Sequence, residues 1–260
     1  MPSSTLDALL RTGSGRCLIT AFDHGSTSRP PAGARPPLQI LADIVAGQPD
    51  GVLLSPGMLR AGRAHLTGQH APAAVLRTDW TVVEPEWIER FGEHYRVLIE
   101  PEQARDLGAD AICIFLISGP ARGAQFADNV RTVAQTCARA QRLGLPVIVE
   151  ATLWGALHGA ARRDPENLAH VCRMAFELGA DAIKTEYTGD PVTMREVIGT
   201  VAVPVLTLGG SRLPFEQVAE AARGALTAGA HGLVFGRNIW QSPDPAATTR
   251  ALRGIVNPAS

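Results

Sequence analysis

The chain has 260 residues and a mass of 27.5 kDa, and 45% hydrophobic against 19% charged residues is enough to bury a large core, which excludes disorder and a small disulfide scaffold. Twenty-four basic residues against twenty-five acidic ones give a formal charge of -1, so no global field draws nucleic acid or an anionic membrane, and any anion site is local. No stretch approaches the ~18 uninterrupted apolar residues of a membrane span, residues 1–15 carry no apolar signal segment, and Cys17, Cys113, Cys137 and Cys172 show no C-x-x-C spacing. A soluble cytoplasmic protein with reduced thiols is the expectation.

In chain order, the first of eight apolar runs spans residues 17–23 and ends in Asp23-His24-Gly25. A proline-rich segment, 29–37, reads as a mobile loop after it. Runs at 51–55 and 73–78 follow, and then 80–96, which has no readable period. The fourth run, 111–117, is introduced by Leu107-Gly108-Ala109-Asp110, and the fifth, 147–152, by Leu145-Pro146. The sixth, 182–187, follows Leu178-Gly179-Ala180-Asp181, the seventh is 204–208, and the eighth, 232–235, follows Ala228-Gly229-Ala230-His231. The recurring glycine reads as a helix C-cap feeding a buried strand, a weak internal repeat. Asp164-Pro165, Asp190-Pro191 and Asp244-Pro245 each place an acceptor at N-cap and proline at N1 of the helices between runs.

Strands apolar on both faces that alternate with helices imply a parallel sheet covered on both sides. Eight such units in 260 residues fit a single-domain (β/α)8 TIM barrel, with residues 17–255 as the barrel proper. The active site of that fold lies at the C-terminal ends of the strands, so the polar residues that close the runs are the candidates.

One of them is singled out by composition. Twenty-three of the basic residues are arginines and one is a lysine, Lys184, in the sixth run. Arginine is always charged, whereas a desolvated lysine amine can become neutral and attack a carbonyl. Alternation puts Ala182, Lys184 and Glu186 on one strand face, into the barrel mouth. Gly209, Gly210 and Ser211 after the seventh run, and Gly236 and Arg237 after the eighth, sit where this fold holds phosphate, on backbone N–H groups backed by a cation. Asp23 is a candidate proton carrier or, more plainly, an N-cap or ion-pair partner. His24, Glu150 and His158 are the one set that folding could converge on a metal; no H-E-x-x-H cluster appears, and neither metal nor cofactor is expected.

The strings Phe22-Asp23-His24-Gly25, Lys184-Thr185-Glu186-Tyr187-Thr188-Gly189-Asp190, Leu208-Gly209-Gly210 and Gly236-Arg237-Asn238-Ile239-Trp240-Gln241 resemble the archaeal-type class I fructose-bisphosphate aldolase family. Its relatives include 2-amino-3,7-dideoxyheptulosonate synthases and the thiolase of phosphorylated autoinducer-2. The resemblance implies a Schiff base on Lys184, proton handling by Asp23, a phosphorylated small-molecule substrate whose phosphate the loops after the seventh and eighth strands hold, and assembly into homo-oligomers; His24 and Thr152 are further candidates for holding the substrate. Many members carry Tyr-Pro-Arg-Gly after the fifth strand, with the tyrosine as acid and base. Here the stretch is Thr152-Leu153-Trp154-Gly155, which leaves Tyr187, Glu150 or a water held by Thr152 in that role. An aldolase using a donor like dihydroxyacetone phosphate is therefore expected. A transferase on the same lysine and a barrel that only binds a phosphorylated ligand are the rivals.

Overall fold

Every apolar run becomes a strand in the computed structural model, which describes residues 15–29 and 35–258. The barrel strands are β1 (Cys17–Phe22), β2 (Gly51–Leu54), β3 (Ala73–Arg77), β6 (Ala111–Ile117), β7 (Val147–Thr152), β8 (Ala182–Glu186), β9 (Val205–Leu208) and β10 (Gly232–Phe235). They close in the order β1-β2-β3-β6-β7-β8-β9-β10, all parallel, with β10 paired back to β1. The expected (β/α)8 barrel is thus the observed fold. Residues 1–14, which include most of the segment read for a signal, and 30–34 of the proline-rich loop lie outside the described residues.

Helices, most of them led by proline, fill the connections: α1 (Pro37–Ala46), α2 (Pro56–Ala61), α4 (Pro101–Asp106), α5 (Gly123–Arg142), α6 (Pro165–Glu177), α7 (Pro191–Gly199), α8 (Phe215–Thr227), α9 (Arg237–Trp240) and α10 (Pro245–Val256). The three Asp-Pro starts cap as read, since Asp164, Asp190 and Asp244 accept backbone N–H bonds from the first turn. Pro214 is the N-cap of α8. Gly108, Gly179 and Gly229 take φ of 77°, 97° and 105°, the left-handed turn that an L side chain resists.

The repeated lead-in also has a purpose beyond the turn. Asp50, Asp110 and Asp181, each one residue before a strand, accept at 2.8 Å from the N–H groups of Leu18, Ala74 and Val147 at the start of the neighbouring strand. Three aspartates thereby pin strand register at the N-terminal end of the barrel, the end this fold uses for stability.

Alternation divides the strand side chains. One set, including Ile19, Leu53, Val75, Cys113, Ile148, Ala182, Leu206 and Val234, fills the barrel interior, while the other packs under the helices. The four cysteines are free and buried. The unreadable stretch 80–96 is an insertion after β3: a short antiparallel pair, β4 (Asp79–Thr81) with β5 (Tyr95–Val97), carrying α3 (Pro85–Phe91). It is tied across the barrel mouth by Trp80 Nε1 to the Ser26 carbonyl (2.8 Å) and by the Glu93 carboxylate to the N–H groups of Ala121 and Ala156. Among the described residues no helix is long and apolar enough to cross a membrane.

Candidate active site

Above the apolar filling of the barrel, towards the C-terminal rim, the next inward positions of β3, β7 and β8 are charged: Arg77, Glu150 and Lys184. β7 and β8 pair with Glu150 opposite Lys184, and the Lys184 Nζ lies 2.8 Å from Glu150 Oε2. Lys184 is 5% exposed, so the amine is removed from bulk water yet faces the cleft. The carboxylate beside it is Glu150 from the next strand; Glu186, on its own strand, turns instead to Trp154 Nε1 (3.0 Å) and Arg163 (3.8 Å). Burial pushes the Glu186 carboxyl above the ordinary range, against the pull of Trp154 and Arg163.

Arg77 ends β3 and projects inward at 3% exposure. Its Nε donates to Asp23 Oδ2 (2.8 Å), its Nη2 to Glu150 Oε2, and its Nη1 reaches Asp79 Oδ1 at 3.4 Å. Its guanidinium carbon stands 3.9 Å over the Phe115 ring. Burial alone would raise the Asp23 carboxyl, but Arg77, then His24 and Lys184, more than offset it and bring it to about 2. Asp23 is ionised here as the ion-pair partner of an arginine, and its side chain makes no N-cap bond. Asp79 has the opposite balance, with burial raising it to about 6 in spite of Arg77.

The cleft above this layer has two lobes, of about 200 and 300 Å³. His24, Glu150, Trp154, Lys184 and Arg237 wall both, so the lysine stands at their junction. The smaller lobe runs to the loops after β9 and β10 and is lined by Gly209, Gly210, Ser211, Gly236 and Arg163. A Cβ on Gly209 would lie 2.9 Å from the Phe235 ring, and Gly210 has φ of 65°, so this turn is built for bare backbone. Asn238 joins the two loops, donating to the carbonyls of Gly209 and Ser211 and accepting from the Leu213 N–H. Burial lowers the proton affinity of Arg237, and its Nε has no protein partner, a donor left for an anion. The larger lobe is lined by Asp23, Ser26, Arg77, Phe115 and, from the insertion, Val83 and Pro85. Burial, ahead of all other causes, depresses the His24 imidazole, which favours its neutral form at the junction.

Two expected residues lie elsewhere. Tyr187 does not line the cleft: three positions beyond Lys184 on an alternating strand it shares the outward face of Thr185, and its hydroxyl packs at α8, where a Cβ on Gly224 would lie 2.3 Å from it. It carries no acid or base role at Lys184. Thr152 is fully buried, its hydroxyl has no partner, and it does not border the cleft; Trp154, stacked at 5.5 Å on Phe115, takes that wall. His158 bonds Ser118 Oγ at 3.1 Å, away from His24 and Glu150, and among the described residues no group of three His, Cys, Asp or Glu side chains is placed to hold a metal. Among the cleft residues that the sequence does not single out are three arginines, Arg77, Arg162 and Arg163, and the indole of Trp154. Arg77 carried the same signal as the others, a charge closing an apolar run.

Residues 17–242 match the family model described as DeoC/LacD family aldolase. The chain is 28% identical over 245 residues to an uncharacterized aldolase of Saccharolobus solfataricus, covering 94% of this chain and 90% of that protein. It is 31% identical over 242 residues to the 2-amino-3,7-dideoxy-D-threo-hept-6-ulosonate synthase of Halobacterium salinarum, covering 93% and 87%. A solved Schiff-base-forming fructose-1,6-bisphosphate aldolase superposes with a TM-score of 0.79 at 28% identity, over 97% of this chain and all of that one.

Proposed function

The chain belongs to the DeoC/LacD aldolase family, and from that premise we propose that it is a Schiff-base-forming class I aldolase. Lys184 is its covalent residue, and it makes or breaks a carbon–carbon bond in a phosphorylated ketose through a donor like dihydroxyacetone phosphate. The observation that carries this reading is the position of the chain's one lysine, its amine at the junction of the two lobes and 2.8 Å from Glu150.

The donor's phosphate lies in the smaller lobe on Gly209, Gly210, Ser211, Gly236 and Arg237, which brings its ketone over Lys184. Glu150 takes a proton from the amine, the nitrogen adds to the carbonyl carbon, and Glu150 passes that proton to the carbonyl oxygen to give a carbinolamine; it then carries a second proton from the nitrogen to the hydroxyl, which leaves as water. The resulting iminium is the electron sink. In cleavage, the Asp23 carboxylate in the larger lobe accepts the proton of the hydroxyl beyond the scissile bond, that bond breaks, and its electron pair forms the enamine. The aldehyde departs, Asp23 hands its proton to the enamine carbon, and water hydrolyses the iminium. Synthesis runs the same steps in reverse. An ionised Asp23 has no proton to give at this stage, so water expulsion falls to Glu150, the carboxylate beside the Lys184 amine.

The likeness to a heptulosonate synthase favours a second reading, transfer of the enamine fragment to a different acceptor on the same lysine. Product analysis with several aldehydes separates the two. Borohydride reduction in the presence of dihydroxyacetone phosphate, read by intact mass and peptide mapping, tests both: one adduct on Lys184 is expected. An unmodified wild-type chain overturns the covalent scheme in favour of a barrel that only binds phosphorylated ligands.

A further inference from the structure

We propose that Arg77 is a positioning residue of this reaction, a fixed cation that holds Asp23 and Glu150 as two separately aimed carboxylates on either side of the Lys184 amine. The inference rests on the reading of Lys184 as the covalent residue. It assigns the labour between the two acids, which that reading leaves unexplained.

The charged layer poses a problem that its geometry solves. Two carboxylates, Asp23 and Glu150, are buried near one another and near one lysine. Without a further cation they repel, and one takes up a proton and ceases to be a base. Arg77 contacts both, through different nitrogens of one planar fork, Nε to Asp23 and Nη2 to Glu150. The fork is itself immobilised, by Asp79 at its third nitrogen and by Phe115 beneath its face. Glu150 offers the same oxygen, Oε2, to Arg77 and to Lys184. When Lys184 gives up its proton, that oxygen keeps a permanent cationic partner. Asp23 is bound to Arg77 through Oδ2, its Oδ1 lies 3.6 Å from His24 Nδ1, and the residue lines the larger lobe.

The groups facing Asp23 are His24 beside it, Arg77 from β3, Cys113 from β6, Glu150 from β7 and Lys184 from β8. Burial raises the Cys113 thiol to about 12, so it is neutral, and burial depresses His24, so Arg77 is the constant positive member of the group. Removing it leaves burial to dominate, and Asp23 then ionises at a higher pH. Arginine cannot be replaced by lysine here without loss, because one ammonium cannot place three directed N–H bonds in a plane.

The test uses dihydroxyacetone phosphate alone in heavy water, where enamine formation exchanges its carbon-bound hydrogen and NMR reads the rate, beside borohydride trapping on the same samples. In R77K the exchange rate should fall about 10- to 100-fold with KM changed less than about threefold and the acid limb of the profile unmoved. In R77M the fall should be larger, about 10²- to 10⁴-fold, and the acid limb should move up by at least about one pH unit. R77M leaves three buried acids without their shared cation, so R77M/D79N, which removes one of them, is the second variant. It should melt closer to the wild type while keeping the slow exchange and the shifted limb. Wild-type exchange with an unmoved limb in R77M, or in the double variant, overturns the inference while wild-type trapping still stands. A fall that merely tracks melting temperature, with no change in pH profile, also overturns it. A wild type that neither traps nor exchanges overturns the Lys184 reading and this inference together.

Discussion

Carboxylates stand at both ends of the barrel, and they have opposite employment. At the N-terminal end Asp50, Asp110 and Asp181 each accept one backbone N–H from a neighbouring strand, the kind of bond that holds register. At the C-terminal end Asp23 and Glu150 touch no backbone amide and are held by Arg77 and Lys184, groups that a substrate can address. The lower set is satisfied by groups that cannot move or change charge. The upper set is satisfied by side chains, one of which, Lys184, is the proposed nucleophile. What an acid does in this fold is therefore set by the partner its strand end supplies, and residue type alone does not distinguish the two.

That contrast can be pressed from its strongest side first. Lys184→Met should abolish the borohydride adduct and lower aldol turnover by about 10⁵-fold or more, with circular dichroism unchanged. An adduct persisting on this chain, which has no other lysine, would place the chemistry elsewhere. Asp23→Asn should cost about 10²- to 10⁴-fold in cleavage while still permitting adduct formation, because the proposed mechanism gives the imine to Glu150 and the carbon–carbon step to Asp23. Equal loss of trapping and cleavage would erase the division between the two acids. At the other end, Asp181→Ala should leave trapping intact and lower unfolding free energy by about 1 kcal/mol, since one charged acceptor is lost from a partly exposed site. Denaturant titration beside trapping separates those readouts.

The smallest effect is one of pH. Asp79 is raised in the folded state from 3.8 to about 6, so its contribution is greatest below pH 4 and is lost as pH rises through 6. Melting temperature measured from pH 4 to 7 should fall more steeply, or rise less, in the wild type than in Asp79→Asn. Parallel curves would show that Asp79 is already ionised in the acid range.

Much of this was legible in the residues because buried parallel strands are apolar on both faces, so each run announced itself and its polar terminus. The same alternation that aimed Lys184, Glu150 and Glu186 inward also turns Tyr187 outward, and applied to the third run it points to Arg77. Those two were readable and were passed over. Trp154 was not, since nothing local tells that a loop indole will lie on Phe115 and bond Glu186. The insertion at 80–96 had no period because its contacts run to other loops, Glu84 to the Arg29 N–H and Glu93 to Ala121 and Ala156, and long-range bonds leave no pattern along the chain.

A lone lysine in the middle of β8 also makes the chain its own gauge of opening. A protease that cleaves only after lysine has one target here, the Lys184–Thr185 bond, and both residues are buried in a central strand. Cutting requires the barrel to part, so the digestion rate under native conditions counts how often it does. A reduced adduct on the amine would hide that bond from the protease even in the opened chain. One gel would then report both breathing and occupancy.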